Sequence, residues 1–129
     1  MKVLLAVNGT LMSDEPLHQN LVDLGATFVR KDKTLDSYRL FSINDEFPAM
    51  IYEESSLATA IRIEIYEIEE DKLPLLMEKE PKELGLDKVC LSNHTLCYGI
   101  VAKQKYLRGQ KEITKFGGWK AYKKSLESK

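Results

Sequence analysis

The sequence has few of the features that would indicate a disulfide scaffold, a membrane protein or a nucleic-acid-binding protein. Two cysteines in 129 residues are too few for a disulfide-stabilised fold, and no apolar run approaches the roughly 20 residues that a membrane-spanning helix needs. The net charge is −1, which implies no overall attraction to nucleic acid or to a membrane surface. No Gly/Ser/Pro-rich linker or repeat divides the chain. We therefore expect a cytoplasmic protein that forms one domain over residues 1–129.

The composition and the hydrophobic patterns indicate a small α+β protein. Hydrophobic residues make up 43% and charged residues 30%, as in soluble globular proteins. Apolar runs and alternation predict strands at 3–7, 26–30, 34–43, 47–52, 58–68, 86–91 and 96–103, with a polar turn at Lys31-Asp32-Lys33. Helical spacing predicts helices near 17–24, 72–79 and 115–126. We expect a mainly antiparallel, curved sheet or small barrel with two or three short flanking helices.

The segment from Val7 to Leu21 joins the first strand to the first helix through Gly9. A glycine at the end of a strand lets a ligand approach the bare backbone amides. The start of the following helix would add unpaired N–H groups and a positive dipole end. The segment is therefore either a cradle for an anion or a polarised carbonyl oxygen, or an ordinary strand-to-helix turn.

The predicted strand at 58–68 has the clearest alternation. Ile61, Ile63 and Ile65 are interleaved with Arg62, Glu64 and Tyr66. This pattern predicts one buried face and one exposed face. The same phase puts Glu67 on the isoleucine side, where it is either a strand-end residue that leaves the core or a carboxylate in a pocket.

Several blocks of the sequence resemble the gamma-glutamylcyclotransferase-like family. Asn8-Gly9-Thr10-Leu11 corresponds to the family's Tyr-Gly-Ser/Thr-Leu loop after the first strand. The closer likeness is to the C-terminal domain of allophanate hydrolases. It continues in order through Leu24-Gly25-Ala26, Tyr38-Arg39-Leu40, Ile61 to Ile68, Pro81 with Leu84-Gly85-Leu86, and Ile113 to Tyr122. The Phe-Gly-Gly-Trp-Lys-Ala-Tyr block at 116–122 is its most specific part.

The resemblance implies a reaction that needs no metal and no cofactor. In the cyclotransferases, a gamma-glutamyl amide is cleaved when its own α-amine attacks the side-chain carbonyl, which yields 5-oxoproline and a free amine. The loop, here Asn8, Gly9, Thr10 and Leu11, would supply donors to the developing oxyanion. A glutamate just after the central helix would act as the base.

The sequence offers more than one glutamate for the role of base. Counting back from Pro81 places Glu78 where the family carries its glutamate, and we take Glu78 as the first candidate. Helical phase instead favours Glu80, which would lie near the apolar stripe if the helix persisted. Glu67 is a further alternative. A purely structural interpretation makes Glu78 and Glu80 surface carboxylates.

Tyr38 and Arg39 are candidate substrate-binding residues, because an arginine fork binds a carboxylate bidentately. Neighbouring strand residues face opposite ways, so both can line one pocket only at a bulge, and we favour Tyr38. Two positions depart from the relatives. The loop tyrosine of the cyclotransferases is Asn8 here, and a histidine frequent in allophanate hydrolases is Leu11.

For several other residues, the sequence pattern favours a structural role over a functional one. Cys90 and Cys97 would face each other across a four-residue hairpin loop, as reduced small hydrophobes rather than as a disulfide or, with His94, a metal site. Trp119 would lie with Tyr122 and Leu126 on the buried face of the last helix. Lys120, Lys124 and Lys129 would form a solvated face.

Two functions from different classes remain open. The first is an enzyme of amide cyclotransfer, or of a related amide or carbamate reaction, on a small molecule that bears a carboxylate or amide. The second is a non-catalytic binding or assembly module that docks on an amidase partner or forms a homodimer. The chain lacks the segments of an amidase domain, so we do not expect it to hydrolyse allophanate alone.

Overall fold

The computed structural model describes residues 1–127, which form eight strands and three α-helices. The strands are β1 (Lys2–Val7), β2 (Thr27–Lys33), β3 (Tyr38–Ile43), β4 (Phe47–Tyr52), β5 (Arg62–Glu69), β6 (Leu84–Cys90), β7 (Leu96–Ala102) and β8 (Lys111–Glu112). The helices are α1 (Gln19–Asp23), α2 (Leu73–Glu78) and α3 (Trp119–Glu127). Among the described residues, no helix is long and apolar enough to cross a membrane.

The strands form two sheets. One has five strands in the order β2-β5-β1-β7-β6, and the other has three in the order β4-β3-β8. All pairings are antiparallel except that of β1 with β7, which is parallel. The α+β prediction with a mainly antiparallel sheet is therefore confirmed, and over residues 1–127 the sheets stay open rather than close into a barrel.

The core lies between the two sheets, and α3 packs against it. Trp119 and Tyr122 on α3 are buried at 1% and 0% exposure, and Leu126 packs against the same core, as predicted. A packed tryptophan buries a large apolar area and contributes strongly to stability. The helix begins at Trp119 rather than near residue 115, because Gly117 has a φ of 72° that no helix accommodates.

The prediction that β5 has one buried face is wrong in part. Ile63 and Ile65 are buried, but Glu64 and Tyr66 on the opposite face are buried as well, at 3% and 2% exposure. The reason is that the loop around Ser13 covers this second face and bonds to the Glu64 carboxylate. Alternation along one strand does not reveal such a cover.

The prediction of a turn at 31–33 is also wrong. These residues continue β2, where Lys31 pairs with Glu64 and Lys33 with Arg62 of β5. β2 is an edge strand, and charged side chains are common on edges because they discourage further pairing. The extended run predicted from residue 34 begins as a strand only at Tyr38.

The hairpin of β6 and β7 has a different register from the one predicted. Cys90 pairs with Leu96, and Cys97 pairs with Val89, because the loop between them contains five residues rather than four. Both cysteines are free thiols. Cys97 is buried, and burial raises the pKa of its thiol to about 11.

Candidate functional site

The loop after β1 is shaped by its own hydrogen bonds. The N–H of Met12 donates to the Gly9 carbonyl at 2.9 Å, and the N–H of Leu17 donates to the Thr10 carbonyl at 2.9 Å. Nδ1 of His18 lies 2.9 Å from the carbonyl oxygen of Leu11. α1 begins only at Gln19 and has five residues. The expectation that a helix start adds donors beside Gly9 is therefore wrong.

The loop nevertheless presents free donors. Within residues 1–127, the backbone N–H groups of Gly9, Thr10 and Leu11 have no hydrogen-bond partner. Asn8 is committed elsewhere, because its buried amide donates to the carbonyl of Ile100 on β7 at 2.8 Å. The loop backbone therefore provides the donors, while Asn8 anchors the loop to the sheet.

Glu80 is the carboxylate that the structure brings to this loop. It follows the end of α2, and its Oε2 atom is buried without a hydrogen-bond partner among the described residues. Burial raises the pKa of the Glu80 carboxyl to about 7. Glu80 lines a cavity of about 10 Å³ together with Asn8, Gly9, Thr10, Leu11, Phe47 and Pro48. This volume suits a single water molecule.

The other two candidate carboxylates lie elsewhere. Glu78 is exposed at the end of α2. Glu67 is half-exposed and lies 3.9 Å from the Lys2 ammonium in an ion pair. Neither lines the cavity beside the loop. The alternative that helical phase favoured, Glu80, is the one beside the loop.

Tyr38 and Arg39 do not line the cavity beside the loop either. The Tyr38 hydroxyl accepts a hydrogen bond from the backbone N–H of Cys90 at 2.8 Å. Arg39 donates to both carboxylate oxygens of Glu112, at 2.8 and 2.6 Å, and to Glu53 at 2.7 Å. This pairing holds the pKa of Glu112 below its usual value. The arginine fork is thus occupied by the protein itself.

A second, larger cavity lies between β2, β5 and the start of α3. Its volume is about 470 Å³, and its wall includes Glu64, Trp119 and Lys120. Glu64 accepts hydrogen bonds from the Ser13 N–H and hydroxyl at 2.8 Å each and from the Tyr66 hydroxyl at 2.9 Å. Burial opposes its ionisation, but these bonds prevail and hold the pKa of Glu64 below its usual value. Sequence analysis missed this site.

One sequence signal pointed to the larger cavity. The Phe-Gly-Gly-Trp-Lys block was the most specific part of the resemblance, and Gly118, Trp119 and Lys120 line the cavity wall. Lys120 and Lys124 are exposed, as the solvated face predicted for α3 requires, and Lys129 lies outside the described residues. Lys120 also donates to the Ser13 carbonyl at 2.6 Å.

Comparison with known proteins identifies relatives of the chain as a whole. The family model of the allophanate hydrolase C-terminal domain matches residues 3–124. The chain is 27% identical to urea amidolyase of Saccharomyces cerevisiae over 97% of its own length. It spans only 7% of that relative.

Several solved structures have a similar fold. A protein specific to uropathogenic E. coli superposes with a TM-score of 0.92 at 37% identity, with 95% of this chain and 96% of that chain covered. The allophanate hydrolase of Kluyveromyces lactis superposes with a TM-score of 0.89 at 26% identity over 98% of this chain and 22% of that one. A mouse AIG2-like protein, at 20% identity and a TM-score of 0.67 over 88% of this chain and 86% of that one, shares the fold.

Proposed function

Because this chain belongs to the allophanate hydrolase C-terminal domain family, we propose that its glycine loop binds and transforms a small molecule bearing an amide and a carboxylate. The observation that carries the proposal is the Glu80 carboxylate, whose Oε2 atom is buried, beside three loop N–H groups; within residues 1–127 neither that atom nor these groups have a hydrogen-bond partner. A base and oxyanion donors are the two elements that amide cyclotransfer requires.

In the proposed reaction, the substrate is a gamma-glutamyl amide. Glu80 takes a proton from the α-ammonium, and the free amine attacks the side-chain carbonyl carbon. The N–H groups of Gly9, Thr10 and Leu11 donate to the oxygen as negative charge develops on it. The amide C–N bond then breaks, and Glu80 passes its proton to the departing nitrogen. The ring nitrogen still carries one extra proton, which the Glu80 carboxylate takes up and transfers to the departing amine, so that 5-oxoproline and an ammonium ion leave.

The pKa of Glu80 suits this role. At a pKa of about 7, close to half of the carboxyl groups are ionised at neutral pH. A base is most effective when its pKa lies near the working pH. A carboxylate with the ordinary glutamate pKa of about 4.3 would be a much weaker base.

Substrate binding requires a rearrangement beside the loop. The cavity of about 10 Å³ is far smaller than a gamma-glutamyl group, and Phe47 and Pro48 form its wall opposite Gly9. We propose that Pro48 moves away from Gly9 as the substrate enters. The attack is intramolecular, so holding the folded-back conformer against the loop supplies much of the rate enhancement.

The test is 5-oxoproline release from a panel of gamma-glutamyl amines and peptides. Glu80→Gln keeps the shape of the side chain and removes the proton acceptor, so turnover should fall about 10²–10⁴-fold with little change in substrate affinity. Glu78→Gln is the matched control, two residues away and exposed, and should keep wild-type turnover. Equal activity in wild type and Glu80→Gln would exclude Glu80 as the base.

A second candidate function is that of an accessory module. In two of the relatives, the similar domain is part of a much longer chain, of which it spans 7% in the yeast urea amidolyase and 22% in the K. lactis allophanate hydrolase. Such a module would dock on an amidase partner or on a second copy. No 5-oxoproline from any substrate, together with co-elution with an allophanate hydrolase amidase domain, would favour this function over catalysis.

A further inference from the structure

We propose that the 470 Å³ cavity between β2, β5 and α3 is a binding site for a small organic dianion with an apolar body. Lys31, Lys33 and Arg62 would hold the negative groups, and Trp119 would contact the apolar body. This site is separate from the loop and Glu80, and the proposal does not depend on catalysis there.

The first argument is the placement of like charges. Lys33 and Arg62 are directly paired across β2 and β5. Like charges directly opposite each other destabilise a sheet. Lys31 lies two residues from Lys33, so the three side chains share one face of the sheet. Protection of the edge accounts for charges on β2, but not for an arginine on β5 directly opposite Lys33. An anion bound between these like charges would offset their repulsion.

The second argument is the balance of charge around the cavity. Its two carboxylates already have cationic partners: Asp32 is paired with Arg30 at 3.0 Å, and Glu64 lies 3.7 Å from Lys120. Lys31, Lys33 and Arg62 have no ion-pair partner among the described residues. The cavity therefore carries uncompensated positive charge. An arginine fork and two ammonium groups match two carboxylates or one phosphate.

The third argument is the wall beneath these charges. Met12, Ile63 and Trp119 line the cavity and provide apolar surface. Nε1 of Trp119 is buried and has no hydrogen-bond partner within residues 1–127. Buried donors are normally satisfied, so a ligand atom or water that reached this N–H would supply its missing acceptor. A volume of 470 Å³ falls in the range of small-molecule sites.

The single tryptophan of the sequence makes this site directly observable. Its indole N–H gives one resonance in a ¹H–¹⁵N spectrum, which we would follow during titration at constant ionic strength. The probes are phthalate and phenyl phosphate as aromatic dianions, malonate as a dianion without an apolar body, and benzyl alcohol as a neutral compound. Phthalate or phenyl phosphate should shift the Trp119 resonance saturably, malonate more weakly and benzyl alcohol not at all. The stronger of the first two identifies the anionic group.

The matched variants are Arg62→Gln and Arg108→Gln. Both side chains are exposed, and each variant removes one arginine charge, but only Arg62 lines the cavity. Arg62→Gln should weaken binding of the dianion about three- to tenfold, and Arg108→Gln should leave it unchanged. The proposal is overturned if no probe shifts Trp119, if benzyl alcohol acts like the dianions, or if the two variants bind equally.

Discussion

Ser13 donates both its backbone N–H and its hydroxyl to the Glu64 carboxylate, each over 2.8 Å. These two hydrogen bonds fasten the far end of the glycine loop to β5. Lys120 of α3 adds a third link, since its ammonium donates to the Ser13 carbonyl at 2.6 Å. The loop is thus fixed between β5 and α3, and its shape depends on a buried charge.

Replacing Glu64 by glutamine should therefore lower the free energy of unfolding by about 1.5–3 kcal/mol at neutral pH, the range for hydrogen bonds to charged groups. Chemical denaturation measures this change. Because Ser13 and Tyr66 hold the pKa of Glu64 low, the wild-type advantage should disappear as pH falls below that pKa. Glu67→Gln, on the same strand but half-exposed, should change stability little. A loss as large in Glu67→Gln would contradict the assignment.

Glu80 should make the stability of the folded protein fall as pH rises, which is the opposite of the effect of Glu64. Its pKa is raised to about 7 in the folded protein, so the folded state holds a proton that the unfolded state loses above about 4.5. Stability should therefore fall as pH rises from 4.5 to 8, by up to about 3 kcal/mol relative to Glu80→Gln. Denaturation curves of wild type, Glu80→Gln and Glu78→Gln across this range measure it. Parallel profiles in all three proteins would show that Glu80 titrates normally.

Gly9 should not tolerate a side chain. A Cβ atom there would lie 2.3 Å from Cγ of Pro48, a distance that requires the ring to move. Gly9→Ala should therefore destabilise the protein by about 1–3 kcal/mol, as overpacking does. Gly109→Ala is not a suitable control because its φ is positive, whereas Gly85→Ala meets nothing closer than 3.5 Å. Equal melting temperatures for Gly9→Ala and Gly85→Ala would show that Pro48 yields freely.

Arg39 should act in stability rather than in ligand binding. Arg39→Gln would leave Glu112 and Glu53 without their partner, and Arg39 is only 18% exposed, so we expect a loss of about 1–3 kcal/mol. Thermal denaturation measures the loss, with Arg108→Gln as the exposed control. Any ligand that binds the loop or the larger cavity should bind Arg39→Gln as it binds wild type. Weakened binding in a well-folded Arg39→Gln would instead restore the substrate role that the sequence suggested.

Much of the fold could be read from the sequence because its signals are local. The alternation at 61–65 and the apolar run at 3–7 are strong enough to place β5 and β1. The burial of Trp119 follows from its spacing to Tyr122. The prediction of a turn at 31–33 was wrong because charged residues favour a turn locally, whereas pairing with β5 keeps this segment in a strand.

The candidate site was less predictable because its residues depend on distant partners. From the sequence alone, Arg39 is a candidate to bind the carboxylate of a substrate. In the structure, its guanidinium group already binds the carboxylate of Glu112, far along the chain. Glu64 looks exposed until the Ser13 loop covers it. The choice between Glu78 and Glu80 depends on where α2 ends, and helix boundaries are the least certain feature of a sequence pattern.

The position of β1 has a consequence for the order of folding. Leu5 pairs with Tyr66 on one side and with Tyr98 on the other, so both neighbours of the first strand are synthesised long after it. Contacts between distant segments are slow to form. A growing chain must therefore keep β1 unpaired on the ribosome until β5 emerges, and half-paired until β7 follows. The glycine loop continues directly from β1 and is anchored to β5, β7 and α3, so the site is among the last parts of the nascent protein to take shape.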